Sequence, residues 1–116
     1  MTLVSVMLGG AVGAALRYGL SLLLNPSATD GLPWGTLAAN VLGCLAIGWL
    51  AGALADSHEA VRLGVLVGVL GGFTTFSSFG LEAVKLAGSG QWGSAAVYVV
   101  VSNAAGLAAA WLGTRL

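Results

Sequence analysis

Polar residues in this chain fall into narrow bands between long apolar runs. Gly31 to Ala55, Leu63 to Leu81 and Leu86 to Thr114 are free of charged side chains, and the stretch from about Leu3 to Leu24 is interrupted only by Arg17. Each reaches the ~18 to 20 residues that cross a bilayer as a helix. The pattern predicts an all-α membrane protein of four transmembrane helices, at about 3–24, 34–55, 61–87 and 92–114, forming a single domain over 1–116. The connections are short: Asn25 to Pro33, Asp56 to Ala60 and Gly88 to Gln91. The first segment lacks a basic lead-in and a small-residue cleavage site, so it reads as a retained helix rather than a signal peptide.

One segment breaks the pattern. Gly71-Gly72-Phe73-Thr74-Thr75-Phe76-Ser77-Ser78-Phe79 places two glycines and four hydroxyls inside an apolar span. Unpaired polar groups in hydrocarbon cost several kcal/mol each, so such a segment persists only against protein or a wet cavity. Glycine pairs favour a helix break, which would free carbonyls such as those of Gly71 and Thr74. Converging carbonyls suit a cation of sodium or potassium size. Helical spacing puts Phe73, Phe76 and Phe79 on one face, Thr75 and Ser78 on another, and Thr74 and Ser77 on a third. Hydroxyl donors and the positive edges of phenyl rings suit a small anion shedding its water. The segment predicts an ion pathway.

Composition agrees and adds constraints. Of 116 residues 58% are hydrophobic and 7% charged, where soluble domains carry roughly 25% charged residues. Mean hydropathy is +0.97. Cys44 is the sole cysteine and reads as a small apolar residue. His58 reads as a solvated loop residue between Asp56 and Glu59, and no cluster has metal-ligand spacing. Neither a nucleotide loop nor a catalytic constellation is present, so an enzyme is not expected.

Four basic residues balance four acidic ones. Arg62 and Arg115 fall on one side of the membrane, Lys85 on the other, with Arg17 joining it if it snorkels. That near-absence of bias predicts insertion in both orientations, and two such copies can pair antiparallel about an in-plane two-fold axis. Four helices barely enclose a pathway, which also points to an oligomer.

Glycines recur four apart at Gly9/Gly13, Gly48/Gly52 and Gly64/Gly68/Gly72, the signature of close helix packing in a bilayer. Trp34, Trp49, Trp92 and Trp111 lie near helix ends as interfacial anchors. Asn40 and Asn103 are amides at membrane depth, each either a helix clamp or a donor to a passing anion. Tyr98 and Ser102, one turn apart, extend a possible donor track. Arg17 either anchors the helix or contacts the ion.

With these pieces in order, the chain resembles the small fluoride-channel family Fluc (CrcB) over nearly its whole length. The matching pieces are Gly9-Gly10-Ala11-Val12-Gly13-Ala14 with Arg17-Tyr18, Trp34-Gly35-Thr36-Leu37 followed by Asn40 and Gly43, and Gly71 to Phe79 with Glu82. The resemblance implies an antiparallel, dual-topology homodimer passing fluoride through two pores. It implies a structural sodium ion at the dimer centre, on the backbone carbonyls of Gly71 and Thr74. Pore phenylalanines match Phe76 and Phe79, and the pore asparagine matches Asn40. The polar track matches Thr75, Ser77, Ser78, Tyr98 and Ser102, a vestibule carboxylate matches Glu82, and the first-helix arginine matches Arg17. Three positions depart from the family pattern: Ser78 stands for the usual Thr, Phe73 for a smaller aliphatic and read as packing, and Gly106 where a hydroxyl can occur.

The implied physiology is passive fluoride export from a cell membrane that relieves fluoride toxicity. A small multidrug-type, proton-coupled cation exporter has the same helix count, but needs a carboxylate in the first helix, where this chain has Arg17. A non-conducting membrane scaffold is the other rival class.

Overall fold

In the computed structural model, residues 1–24 and 31–116 are described; Pro26 and most of the first expected loop lie outside them. Four spans long and apolar enough to cross a membrane follow one another: Thr2–Leu24, Trp34–Ala53, Glu59–Gly88 and Trp92–Gly113. The first, second and fourth are the continuous helices α1 (Thr2–Leu24), α2 (Trp34–Ala53) and α6 (Trp92–Gly113). The third is composite. It comprises α3 (Glu59–Leu63), a π-helical stretch (Gly64–Val69), α4 (Leu70–Phe73) and, beyond an interruption, α5 (Phe76–Gly88).

Glycine contacts hold the pairs together. A Cβ on Gly9 would strike the Gly64 carbonyl and one on Gly13 the Val69 carbonyl, while one on Gly72 would stand 2.6 Å from the Gly10 carbonyl oxygen. The glycine stripes of the first and third spans thus lie backbone to backbone, as small residues permit in lipid. The contact runs along the π-helical stretch, where the Leu70 N–H reaches five residues back to Val65. The α2–α6 pair is equally close at Gly48, which meets Ala110 and Gly113. Gly52 is different: nothing lies within 4 Å of where its Cβ would be, so the second stripe packs at one glycine only.

A buried cluster of Leu37, Phe79, Leu86, Ala95 and Tyr98 joins α2, α5 and α6. Trp34 and Trp92 open α2 and α6, Trp49 and Trp111 stand near the ends of the same helices, and all four are exposed. That distribution places an aromatic pair at each membrane face. His58 is a helix cap: its Nδ1 accepts from the Ala60 N–H at 3.2 Å.

The third span breaks, but not at its glycines. Gly71 and Gly72 are helical, and the chain extends at Thr74 (φ −89, ψ 158) and Thr75 (φ −153, ψ 125). β-Branched residues favour extended backbone, and the close packing of Gly72 on Gly10 holds the glycines in line. The extended pair also separates Phe73 from Phe76 and Phe79, so the three rings do not share one face.

Candidate functional site: a groove at the helix break

The break is held open by side chains from both neighbours. Asn40 on α2 pairs with the backbone of Thr75: the Thr75 N–H donates to Oδ1 at 2.8 Å, and Nδ2 donates to the Thr75 carbonyl at 3.0 Å. The amide thereby substitutes for helical partners that an extended residue loses. It also masks its own acceptor, leaving one N–H of Asn40 as its remaining polar function. On the other side, Arg17 Nε donates to the Gly72 carbonyl at 3.3 Å. A guanidinium at the carbonyl end of α4 suits that end of the helix dipole. This bond ties Arg17 to the third span.

Two carbonyls lose their helical donors as a result. The Thr75 N–H that would close on Gly71 goes to Asn40. The Ser78 N–H that would close on Thr74 goes to Thr75 Oγ1 at 3.2 Å, capping α5. Gly71 and Thr74 both line the same open groove. Freed carbonyls at a broken membrane helix fit a monovalent cation, which takes oxygen ligands. Among the described residues no group of His, Cys, Asp or Glu is placed to hold a metal.

That groove has a volume of about 340 Å³, and Asn40, Thr75, Phe76, Phe79 and Ser102 share its lining with the two carbonyl residues. Its floor includes Gly43, where a Cβ would strike the Thr74 methyl. Phe76 and Phe79 stand 5.5 Å apart with planes tilted 48°, and Phe79 stands 5.2 Å from Tyr98 at 50°. Exposure falls along this ladder: 81% for Phe76, 9% for Phe79 and 0% for Tyr98. The ladder ends at a carboxylate, because the Tyr98 hydroxyl donates to Glu82 Oε1 at 3.3 Å.

The hydroxyls divide by task. Thr74 Oγ1 donates back to the Leu70 carbonyl at 3.0 Å, a bond within its own helix. Thr75 Oγ1 caps α5 and lies 3.3 Å from Ser77 Oγ. Ser78 is half-buried on the first turn of α5. Ser102 Oγ is buried, with no hydrogen-bond partner among the described residues.

Asn40, Gly71, Thr74, Thr75, Phe76, Phe79, Ser102 and Asn103, all singled out above, therefore meet at one groove. Ser77 and Ser78 lie on the adjoining turn, Tyr98 and Glu82 behind Phe79, and Arg17 against the outer side of the break. Phe73 packs beside Gly43, away from the other two rings. Gly43 and Cys44, also in the lining, follow Asn40 by three and four residues on α2; helical spacing from Asn40 is the signal that points to them.

Comparison with known proteins agrees. Residues 4–114 match the family model described as CrcB-like protein, Camphor Resistance (CrcB). A relative from Thermus thermophilus named "Fluoride-specific ion channel FluC" is 50% identical, covering 96% of this chain and 90% of its own. Relatives of the same name from Hyphomonas neptunium (45% identical, covering 93% and 88%) and Chloroflexus aurantiacus (43%, covering 98% and 93%) are similar over comparable lengths. By both kinds of match, and with four apolar spans around one broken helix, the chain belongs to the CrcB family of multi-pass membrane proteins.

Proposed function

We propose that this protein is a fluoride-selective channel that lets fluoride leave the cell passively across the cell membrane. The observation that carries this reading is the arrangement at the break, where the Phe76–Phe79 pair and the Asn40 amide share one groove beside the first turn of α5. A small anion loses severe hydration energy on entering low dielectric, so a route must replace water with fixed donors. The groove offers amide and hydroxyl donors, phenyl edges and a helix N-terminus, and no lysine or arginine lines it. Fluoride is smaller than chloride and a stronger acceptor; a narrow donor track discriminates on both counts. The name carried by the relatives supports the same ion.

The working unit is an antiparallel pair of copies inserted in opposite orientations, surrounded by lipid. The groove is open along its length in one copy, and a second copy closes it into a route. The near-zero charge bias across the membrane supports dual insertion. In this arrangement the Gly71 and Thr74 carbonyls would hold a sodium ion, which would supply fixed positive charge and help tie the copies together. Thr75, Ser77, Ser78 and Ser102 continue the donor track past the rings, Tyr98 holds Glu82 behind Phe79, and Glu82 and Arg17 act at the margins of the track. Among the described residues no carboxylate, histidine, lysine or arginine lines the groove to couple protons, so conduction is passive. A proton-coupled exporter needs a carboxylate in the first span, and α1 has none.

The test is fluoride release from protein-loaded liposomes, read with a fluoride electrode and with chloride as control. Selective fluoride efflux is the expected result. No fluoride efflux, or equal chloride efflux, removes the reading; proton-driven efflux of a cationic dye replaces it with the exporter.

A further inference from the structure

The α6 wall of the groove carries two adjacent polar residues, Ser102 and Asn103, and the route described above uses only the first. Asn103 lies midway along α6, at membrane depth, with its side chain on the exposed side of the helix. An amide there must meet water, protein or a permeating ion, because hydrocarbon leaves it unpaired. One of its N–H groups is already held: Nδ2 donates to the Val99 carbonyl, one turn back on the same helix, at 2.8 Å. That bond limits rotation of the carboxamide, and its second N–H forms no other hydrogen bond among the described residues. A helix clamp reaches across to a neighbouring element; this amide reaches only its own helix. Beside it, the buried Ser102 hydroxyl is also without a partner among the described residues.

We propose that Asn103 supplies a further amide donor to the anion route, on the α6 wall as Asn40 does on the α2 wall. The two amides are prepared in the same way. Each has one N–H committed to a backbone carbonyl, which orients the group and leaves the other N–H for an ion. An amide N–H is a stronger donor than a phenyl edge, and hydrogen bonds to a charged partner are the strong ones. Asn103 therefore raises the preference for fluoride over a weaker acceptor, rather than conduction in general. The inference rests on the channel reading.

Liposome flux of the full-length protein, for fluoride and for chloride in parallel, tests it. Asn103→Leu, close in shape and without a donor, is expected to lower fluoride efflux about tenfold, as loss of one hydrogen bond to an ion implies, and to leave chloride efflux unchanged. Asn103→Ser, which keeps a donor, should stay within about threefold of the unsubstituted protein. Size-exclusion profiles in detergent should be the same for all three. Unchanged fluoride efflux in Asn103→Leu overturns the proposal. So does an equal loss in the Leu and Ser variants, or a Leu variant whose only defect is dissociation of its copies. If the unsubstituted protein passes no fluoride, the channel reading fails; if it conducts and Asn103→Leu matches it, only the Asn103 assignment fails.

Discussion

Asn40 and Thr75 pair through two hydrogen bonds, of 2.8 and 3.0 Å, that join a helical side chain to an extended backbone. This pair makes the break in the third span affordable: it supplies both a donor and an acceptor where helical ones are missing. Asn40→Ala leaves the Thr75 N–H and carbonyl without partners inside a membrane. The expected cost is about 2 kcal/mol of stability, from one to two unsatisfied groups, together with loss of fluoride efflux. Asn40→Asp keeps the acceptor for the Thr75 N–H but lacks the donor and introduces negative charge. Its efflux should be as low as that of the alanine variant. Thermal unfolding in detergent and liposome flux separate the two effects.

Phe76 and Phe79 are in ring contact, yet their packing differs greatly. Phe76 is almost fully exposed, and Phe79 is buried against Tyr98. Phe76→Ile should change the stability of a single copy by no more than about 0.5 kcal/mol. Phe79→Ile loses an aromatic contact on each side and should cost about 1 kcal/mol. Both variants lack the phenyl edge and should lose fluoride throughput with the fold intact. Unchanged efflux in either would take that ring out of the route.

Tyr98 is the point where the aromatic ladder meets a charge, through its hydroxyl on Glu82. Tyr98→Phe keeps the ring against Phe79 and deletes only the donor. The loss of one hydrogen bond to a carboxylate should lower stability by about 1.5 kcal/mol, measured by thermal unfolding. Efflux should fall as well, because a carboxylate relieved of its donor presents more negative potential to an approaching anion.

The four spans were legible because charge-free runs of membrane-spanning length admit few other readings. The glycine pairing of the first and third spans was legible for the same kind of reason: small residues four apart have one main use in lipid. The position of the break was not. Glycine pairs tolerate either conformation, and what keeps this pair in line is the contact of Gly72 with Gly10 on α1, a tertiary fact. What extends Thr74 and Thr75 is partly local, and partly the amide of Asn40, 35 residues away in sequence. For the same reason a periodicity drawn through Phe73, Phe76 and Phe79 failed at its first member. Asn103 was visible as an intramembrane amide, but only the groove shows which way it faces.

The two kinds of glycine in these stripes should respond oppositely to the same substitution. Gly72→Ala places a methyl 2.6 Å from the Gly10 carbonyl oxygen, a backbone atom that cannot step aside. Overpacking of this kind costs about 1–3 kcal/mol, and the variant should unfold at lower temperature and shift α1 against the break. Gly52→Ala meets nothing within 4 Å. There the change removes backbone entropy from the unfolded chain, and stability should rise by about 0.5 kcal/mol. Equal behaviour of the two variants would mean the glycine contact between the first and third spans does not persist in the folded protein.

The freed carbonyls of Gly71 and Thr74 give the final prediction, because they tie cation binding to the assembled state. If these oxygens hold sodium between two copies, sodium binds the folded pair and not the separated chains. Stability then depends on its concentration by mass action, by about 2.7 kcal/mol at a hundredfold excess over its dissociation constant. Replacing sodium with a bulky organic cation should lower the unfolding temperature and efflux together, and returning sodium should restore both. Gly43 offers a control that leaves both carbonyl residues in place. A Cβ there strikes the Thr74 methyl, so Gly43→Ala should displace the Thr74 carbonyl and weaken the response to sodium. Unfolding temperatures that ignore sodium in the unsubstituted protein would remove the cation from the break, while leaving the rings and the Asn40 amide as the route for the anion.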